Sequence, residues 1–140
     1  MSNIFTESAE NVLNRALEIA EDFGHTYIGS DHMLLAIAED KNSRAAEILT
    51  RCGVDNERIK SKIMEITECG NKTNLAITDA TPKFRKTLKN AYEISVSNGE
   101  TQISTEYILL AICLQENSAA GEILNKIGLD LAEIKNQLSK

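Results

Sequence analysis

The chain has 140 residues, of which 42% are hydrophobic and 26% charged, and its formal net charge at neutral pH is −6. This length and balance are typical of one compact globular domain, and no apolar run is long enough to span a membrane. The acidic balance argues against general affinity for nucleic acid, because phosphate backbones bind basic surfaces. The charge is unevenly distributed, since residues 71–90 have a net charge of +4 and the rest of the chain has a net charge of −10.

The first residues and the cysteines indicate where the protein works. The N-terminus has neither the basic segment nor the apolar stretch of a secretory signal, so we expect a cytoplasmic protein with no membrane partner. Three cysteines without a C-x-x-C pair argue against a disulfide framework and against a structural zinc site. We expect reduced thiols, buried or incidental, at Cys52, Cys69 and Cys113.

The first half of the chain predicts four short helices. After a predicted N-cap at Thr6, apolar residues recur at three- and four-residue steps until a glycine ends the pattern. The second helix is predicted to begin at the hydroxyl residue Ser30, which we take as its cap. Ser43 and Asp55 predict the caps of the third and fourth helices.

The second half repeats this organisation after a polar connection at about residues 68–79. Thr81 and Pro82 predict the start of the fifth helix, because proline lacks the amide hydrogen that the first helical position does not use. The caps predicted for the sixth, seventh and eighth helices are Thr105, Ser118 and Asp130.

An internal repeat explains this order. Residues 5–59 align with residues 80–134 without a gap, at an offset of 75, and 21 of the 55 pairs are identical. Two units with the same apolar faces would pack about a pseudo-two-fold axis. We therefore predict an all-α protein of two pseudo-symmetric four-helix repeats, about eight helices, packed as one compact domain spanning 1–140. The first repeat covers about 5–67 and the second about 80–138.

The repeated motifs carry a family resemblance over residues 4–138. The Phe-Thr-Glu opening at 5–7, the Gly-His-x-x-Ile-Gly-x-x-His stretch at 24–32, its copy at 99–107 and the Thr-Pro-Lys at 81–83 resemble the N-terminal domain of the Hsp100/Clp unfoldases, most closely its ClpC branch. The family fold is the same double four-helix repeat. No phosphate-binding loop of the G-x-x-x-x-G-K-[ST] type is present, so we expect no nucleotide and no other cofactor.

The resemblance implies a site for phosphoarginine, a mark on substrate proteins that ClpC-like domains bind through one carboxylate in each repeat. A carboxylate accepts two parallel bonds from a guanidinium, while the phosphate needs helix amides or cations nearby. The matching carboxylates are Glu106 and Asp31, and the candidates for the phosphate side are Thr6, Thr81, Lys83 and Arg85. Glu106 keeps the family residue, so we prefer the second copy. The simpler role for both acids is to stabilise the positive end of a helix dipole.

Metal binding and catalysis find less support in the sequence. His25, Asp31 and His32 have ligand chemistry, but the second copy has Glu100, Glu106 and Tyr107 instead, so the repeat does not preserve a metal site. No Gly-x-Ser-x-Gly nucleophile motif is present. We predict an interaction module without catalytic residues.

Two interpretations of the function stay open at the level of sequence. The first is recognition of protein substrates or adaptor proteins for an ATP-driven Clp unfoldase and its protease. The alternative is a stand-alone regulator that binds Clp ATPase modules or their partners without phosphoarginine recognition. Nucleic acid and membrane are expected partners in neither.

Overall fold

The computed structural model describes residues 4–115, 117–128 and 131–138. Within these ranges the chain forms eight α-helices and no extended strand, which confirms the predicted all-α class. The helices are α1 (Glu7–Asp22), α2 (Ser30–Glu39), α3 (Arg44–Arg51), α4 (Asn56–Ile66), α5 (Pro82–Ser97), α6 (Thr105–Leu114), α7 (Ala119–Ile127) and α8 (Leu131–Leu138). A short 3-10 helix, Ile77–Asp79, precedes α5.

Most helices begin where a side chain can cap them. A capping oxygen accepts a hydrogen bond from an amide of the first turn, which stabilises a helix by about 1 kcal/mol. The predicted caps that do so are Thr6, Ser43, Asp55, Thr81 and Ser118. The predicted cap at Asp130 lies outside the described residues.

The caps predicted for α2 and α6 are wrong by one residue. The N-caps are Gly29 and Ser104, and the predicted caps Ser30 and Thr105 are instead the first helical residues. Tertiary structure explains the shift in the first repeat, because the Ser30 hydroxyl accepts the amide hydrogen of Ala120 at 3.0 Å. Ser30 therefore joins α2 to the start of α7 rather than closing its own helix.

The core is organised around α2. Residues 30–38 of this helix are all buried, because it packs against α1, α3, α4, α6 and α7. Its sequence is apolar on every side after the first turn, which is the pattern of a helix enclosed by protein. Burying one leucine or isoleucine side chain contributes about 1.5–3 kcal/mol. None of the helices in the described part of the chain combines the length and apolar character that a membrane span requires.

The two repeats cross over at two parallel β-bridges, Phe5 with Ile103 and Ile28 with Ala80. Equivalent hydrogen bonds hold both. The Thr6 amide donates to the Ile103 carbonyl at 3.0 Å, and the Thr81 amide donates to the Ile28 carbonyl at 2.9 Å. The start of α1 therefore lies beside the start of α6, and the start of α5 lies beside the start of α2. The helices cross in the same way, since α2 packs against α7 and α6 packs against α3.

The connection after α4 is fastened to the end of α1. The Gly70 amide donates to the Phe23 carbonyl at 2.9 Å, and the Thr73 amide donates to the Glu21 carbonyl at 3.1 Å. Gly24, with φ of +78°, lets the chain turn directly beneath this segment. The polar connection is therefore part of the packed domain and closes one side of the first repeat.

Candidate functional site

Glu106 lies in a cleft of about 590 Å³ in the second half of the molecule. The cleft is bounded by the first turn of α6, the start of α1, the start of α3 and the loop before α6. The polar residues that line it are Thr6, Arg44, Asn98, Glu100, Thr101, Gln102, Ser104, Glu106 and Tyr107. Carboxylates, a guanidinium and hydroxyl groups therefore share one surface depression, which from here on is called the second cleft.

Thr6 reaches this cleft because of the crossover bridge. The bridge between Phe5 and Ile103 sets the first turn of α1 beside the loop that leads into α6. The Thr6 hydroxyl accepts the Ala9 amide hydrogen at 3.2 Å and so caps α1. The first amides of a helix have no partner within the helix and favour anions. The structure thus brings together two of the predicted site residues, Thr6 and Glu106.

Tyr107 is half-buried beside the carboxylates of the second cleft. Burial, together with the negative charges of Glu100 and Glu106, raises the pKa of its phenol above 10.0. The hydroxyl is therefore protonated at neutral pH and can donate a hydrogen bond. It adds a neutral donor beside Glu100 and Glu106.

Arg44 is a cleft residue that the sequence reasoning missed. It is the first residue of α3, in the first repeat, yet it lines the cleft of the second because α3 packs against α6. Its Nη2 atom lies 3.5 Å from the carbonyl oxygen of Gln137 on α8. The only signal in the sequence is a cation directly after a helix cap, and that signal does not indicate which repeat the cation faces.

Asp31, the equivalent of Glu106, lies in a different environment. It is 2% exposed, and its Oδ1 atom has no hydrogen-bond partner among the described residues. Burial is the largest cause that raises the pKa of its carboxyl above 3.8. The same Oδ1 atom is 3.6 Å from Nδ1 of His32. A guanidinium would reach Asp31 only after the residues above it moved.

Four rings pack together beside Asp31: Phe23, His25, Tyr27 and His32. His25 stacks on Phe23 with 5.4 Å between ring centroids and on Tyr27 with 5.1 Å. Tyr27 is 5.4 Å from His32. These four residues are called the ring cluster below. It fills the space in the first repeat that corresponds to the second cleft.

The two histidines of the ring cluster are joined in one chain of hydrogen bonds. The Gly29 amide donates to His32 Nδ1 at 2.9 Å, so the neutral His32 ring carries its hydrogen on Nε2 and donates to His25 Nδ1 at 2.7 Å. His25 Nε2 then donates to the Thr67 hydroxyl at 3.1 Å, and Thr67 donates to the Ile63 carbonyl at 2.6 Å. Burial lowers the pKa of His25 and lowers that of His32 from 6.5 to about 3.

The remaining predicted residues lie away from Glu106. Thr81 caps α5, with its hydroxyl accepting the Phe84 amide hydrogen at 3.1 Å, beside the start of α2. Lys83 donates from Nζ to the carbonyl oxygen of Asn117, beyond the C-terminal end of α6. Arg85 donates to the Thr78 carbonyl at 2.9 Å. Glu106 is in the first turn of α6, about 12 Å of helix axis from that end.

A larger cleft, of about 870 Å³, lies between α6, α7 and α8. Gln115, Asn117 and Glu122 are among its lining residues, and none of the predicted site residues is. Its volume alone does not indicate a ligand, because no predicted chemistry converges there.

No metal site is found in the part of the chain that the structure describes, and two of the three cysteines there are buried or partly buried. No group of three histidine, cysteine, aspartate or glutamate side chains there is arranged to hold a metal ion. Cys113 is buried, and burial raises the pKa of its thiol to about 12. Cys52 is partly buried with a raised pKa, and Cys69 is exposed. A thiol that stays protonated is a poor nucleophile.

The similarity to known proteins agrees with this architecture. The family model for the Clp repeat (R) N-terminal domain matches residues 4–127 and 79–140. The chain is 29% identical over 134 residues to the negative regulator of genetic competence ClpC/MecB of Bacillus subtilis, and 28% identical to the chaperone protein ClpB of Oceanobacillus iheyensis. Each match covers 96% of this chain and 16% of the relative, so the chain spans about a sixth of the relatives' length.

Solved structures share the fold. The N-terminal domain of ClpD from Arabidopsis thaliana superposes with a TM-score of 0.82 at 17% identity, over 97% of this chain and 95% of that one. The Hsp104 N-terminal domain from Candida albicans gives 0.80 at 17% identity, over 99% and 91%. A ClpV N-domain in complex with a VipB peptide gives 0.73 at 16% identity, over 97% and 88%. With its double repeat, its crossed helix packing and the family match over the whole described chain, this protein belongs to the family of Clp N-terminal repeat domains.

Proposed function

We propose that this domain recognises substrates and adaptor proteins for a Clp/Hsp100 unfolding and proteolysis system, and that it docks phosphoarginine-marked proteins in the second cleft. The observation that carries the proposal is the half-buried Glu106 carboxylate beside the capped start of α1 in a cleft of about 590 Å³. The domain acts by binding and leaves chemistry to Clp ATPase and protease partners. Such a system would operate in the cytoplasm.

The chemistry of the second cleft fits both halves of phosphoarginine. The Glu106 carboxylate would accept two parallel hydrogen bonds from the guanidinium. The first amides of α1, next to Thr6, would donate to the phosphate oxygens. The Tyr107 hydroxyl offers a further donor. The complex of a ClpV N-domain with a VipB peptide supports the broader point that a domain of this fold can hold a peptide.

The other predicted ligands belong to a separate place in the molecule. Thr81, Lys83 and Arg85 lie at the start of α5, on the side of the crossover that faces α2 and Asp31. They would serve a phosphate bound at the first repeat and could not contact a ligand held by Glu106. In this proposal Glu106 is the principal carboxylate and Asp31 the secondary one.

A peptide-binding measurement tests the proposal. Fluorescence anisotropy would compare one labelled peptide carrying phosphoarginine, unmodified arginine or phosphoserine. The phosphoarginine form should bind most tightly, and Glu106→Gln should weaken it about ten- to hundredfold, because a charge-assisted hydrogen bond contributes about 1.5–3 kcal/mol. Glu93→Gln is the matched control, since Glu93 is exposed on α5 and does not line the cleft. Equal affinities for wild type and Glu106→Gln would remove Glu106 from the site.

The alternative function is a stand-alone regulator that binds Clp partners without recognising phosphoarginine. A pull-down with a Clp ATPase and its adaptors, run beside the peptide assay, separates the two functions. Retention of those partners without any preference for phosphoarginine would favour a regulator. Retention of them with a phosphoarginine preference that depends on Glu106 would support the recognition module.

A further inference from the structure

We propose that the domain binds one phosphoarginine rather than two, and that Arg44, contributed by the first repeat, holds its phosphate in the second cleft. This inference rests on the proposed function and deepens it. Three observations carry it: the crossover of the repeats, the ring cluster over Asp31 and the different residues at the position of Arg44.

The crossover gives each potential site parts from both repeats. The second cleft takes Glu106 from α6, Thr6 from the start of α1 and Arg44 from the start of α3. Two of these three elements belong to the first repeat. A ligand at Glu106 therefore contacts both repeats. The cation that would bind its phosphate, Arg44, comes from the first repeat.

The ring cluster occupies the equivalent space in the first repeat. Shifting the cleft residues Asn98, Glu100, Gln102 and Tyr107 by 75 positions gives Phe23, His25, Tyr27 and His32. Asn98, Glu100 and Gln102 are exposed, whereas Phe23, His25 and His32 are buried. Opening a cavity over Asp31 would separate stacked rings and break the hydrogen bond between the two histidines. The first site is therefore closed in the folded state.

The first repeat's site also lacks a cation at the position equivalent to Arg44. The residue equivalent to Arg44 is Ala119, the first residue of α7. Arg44 brings a planar guanidinium, which can donate two parallel hydrogen bonds to a phosphate. Arg44 also contacts the carbonyl oxygen of Gln137 at 3.5 Å. The second cleft thus has both a carboxylate for the guanidinium and a cation for the phosphate.

Titration calorimetry with a phosphoarginine peptide tests both parts. We expect one peptide per chain, and we expect Arg44→Gln to weaken binding about tenfold because one charge-assisted interaction is lost. Arg44→Lys should recover part of the affinity. Lys89→Gln is the matched control, since Lys89 is exposed on α5 and does not line the second cleft, and it should leave affinity and stoichiometry unchanged.

A second ligand separates a phosphate contact from a structural role. The same peptide with unmodified arginine should bind wild type and Arg44→Gln equally, while Glu106→Gln should weaken both peptides. Two peptides per chain, an unchanged affinity in Arg44→Gln, or an equal loss for both peptides in that variant would overturn the inference while leaving the proposed function standing. No binding of phosphoarginine by the wild-type chain would overturn both.

Discussion

The hydrogen-bonded histidine pair should make this fold sensitive to acid. His32 accepts from the Gly29 amide on one nitrogen and donates to His25 from the other, so neither nitrogen has room for a second proton. His25 likewise accepts from His32 on one nitrogen and donates to the Thr67 hydroxyl from the other. Protonating either ring would turn an acceptor into a donor that faces another donor, and both rings are buried.

The size and sign of the effect follow from the pKa of His32. Burial holds that pKa at about 3, against 6.5 in the unfolded chain. Its contribution to stability is complete above pH 6.5 and is lost as the pH falls toward 3, because only the unfolded state takes up the proton. Each pH unit below 6.5 costs about 1.4 kcal/mol, so the free energy of unfolding should fall by about 2.7 kcal/mol at about pH 4.5. The lowered pKa of His25 acts in the same direction.

Asp31 acts in the opposite direction. Burial raises the pKa of its carboxyl, so its contribution is present below pH 3.8 and is lost as the pH rises through the raised value. Protonation of Asp31 therefore offsets part of the histidine loss in acid. Variants at the histidines separate the two effects, because they leave Asp31 in place.

Urea unfolding followed by helical circular dichroism, at several pH values between about 7 and about 4.5, measures the effect. His32→Gln is the diagnostic variant, since glutamine retains an acceptor for the Gly29 amide and does not titrate. The variant should lose less stability in acid than wild type by about 1.4 kcal/mol per pH unit. His25→Gln provides a second, independent test should the first variant fold poorly. If wild type and both variants lost stability equally between about pH 6 and about pH 4.5, the neutral histidine chain would be refuted.

Two further predictions concern a glycine pair and the cysteines. Gly24 and Gly99 are equivalent and both have positive φ, but a Cβ on Gly24 would lie 2.5 Å from the Gly70 backbone whereas one on Gly99 meets nothing within 4 Å. Gly24→Ala should therefore destabilise the domain by about 1–3 kcal/mol more than Gly99→Ala in urea unfolding, and equal losses would refute the close contact. Cys69 is exposed, while burial raises the pKa of Cys113 to about 12, so a thiol reagent should label Cys69 in the native protein and Cys113 only in urea. Native labelling of Cys113 at the rate of Cys69 would contradict the buried assignment.

Local sequence signals were sufficient to predict the helices. Hydroxyl and carboxylate caps such as Ser43 and Asp55 satisfy amides of their own first turn, so the residues that cause the helix to start are adjacent in sequence. The exceptions arise where a tertiary partner competes. Ser30 has the chemistry of a cap but bonds to Ala120, which is 90 residues away, and no local pattern contains that information.

The candidate site was predictable only in part, for the same reason. Glu106 could be found because it starts a repeated helix. Arg44 could not, since its place in the cleft depends on how α3 of one repeat packs against α6 of the other. The burial of Asp31 was also hidden, because the four rings that pack beside it come from the segment after α1 and from α2. The sequence predicted two related sites, and packing made them different.

The difference between the repeats has an energetic explanation. A polar cleft in the second repeat leaves Asn98, Glu100 and Gln102 exposed to water, so this surface contributes little to the core. In the first repeat the equivalent positions bury rings, and each stacked aromatic pair contributes about 0.5–1.5 kcal/mol beyond its buried area. Because α2 at the centre of the core starts beneath that cluster, closing the first site also fixes the helix on which both repeats pack. Duplication thus allowed one copy to stabilise the domain while the other kept an open cleft.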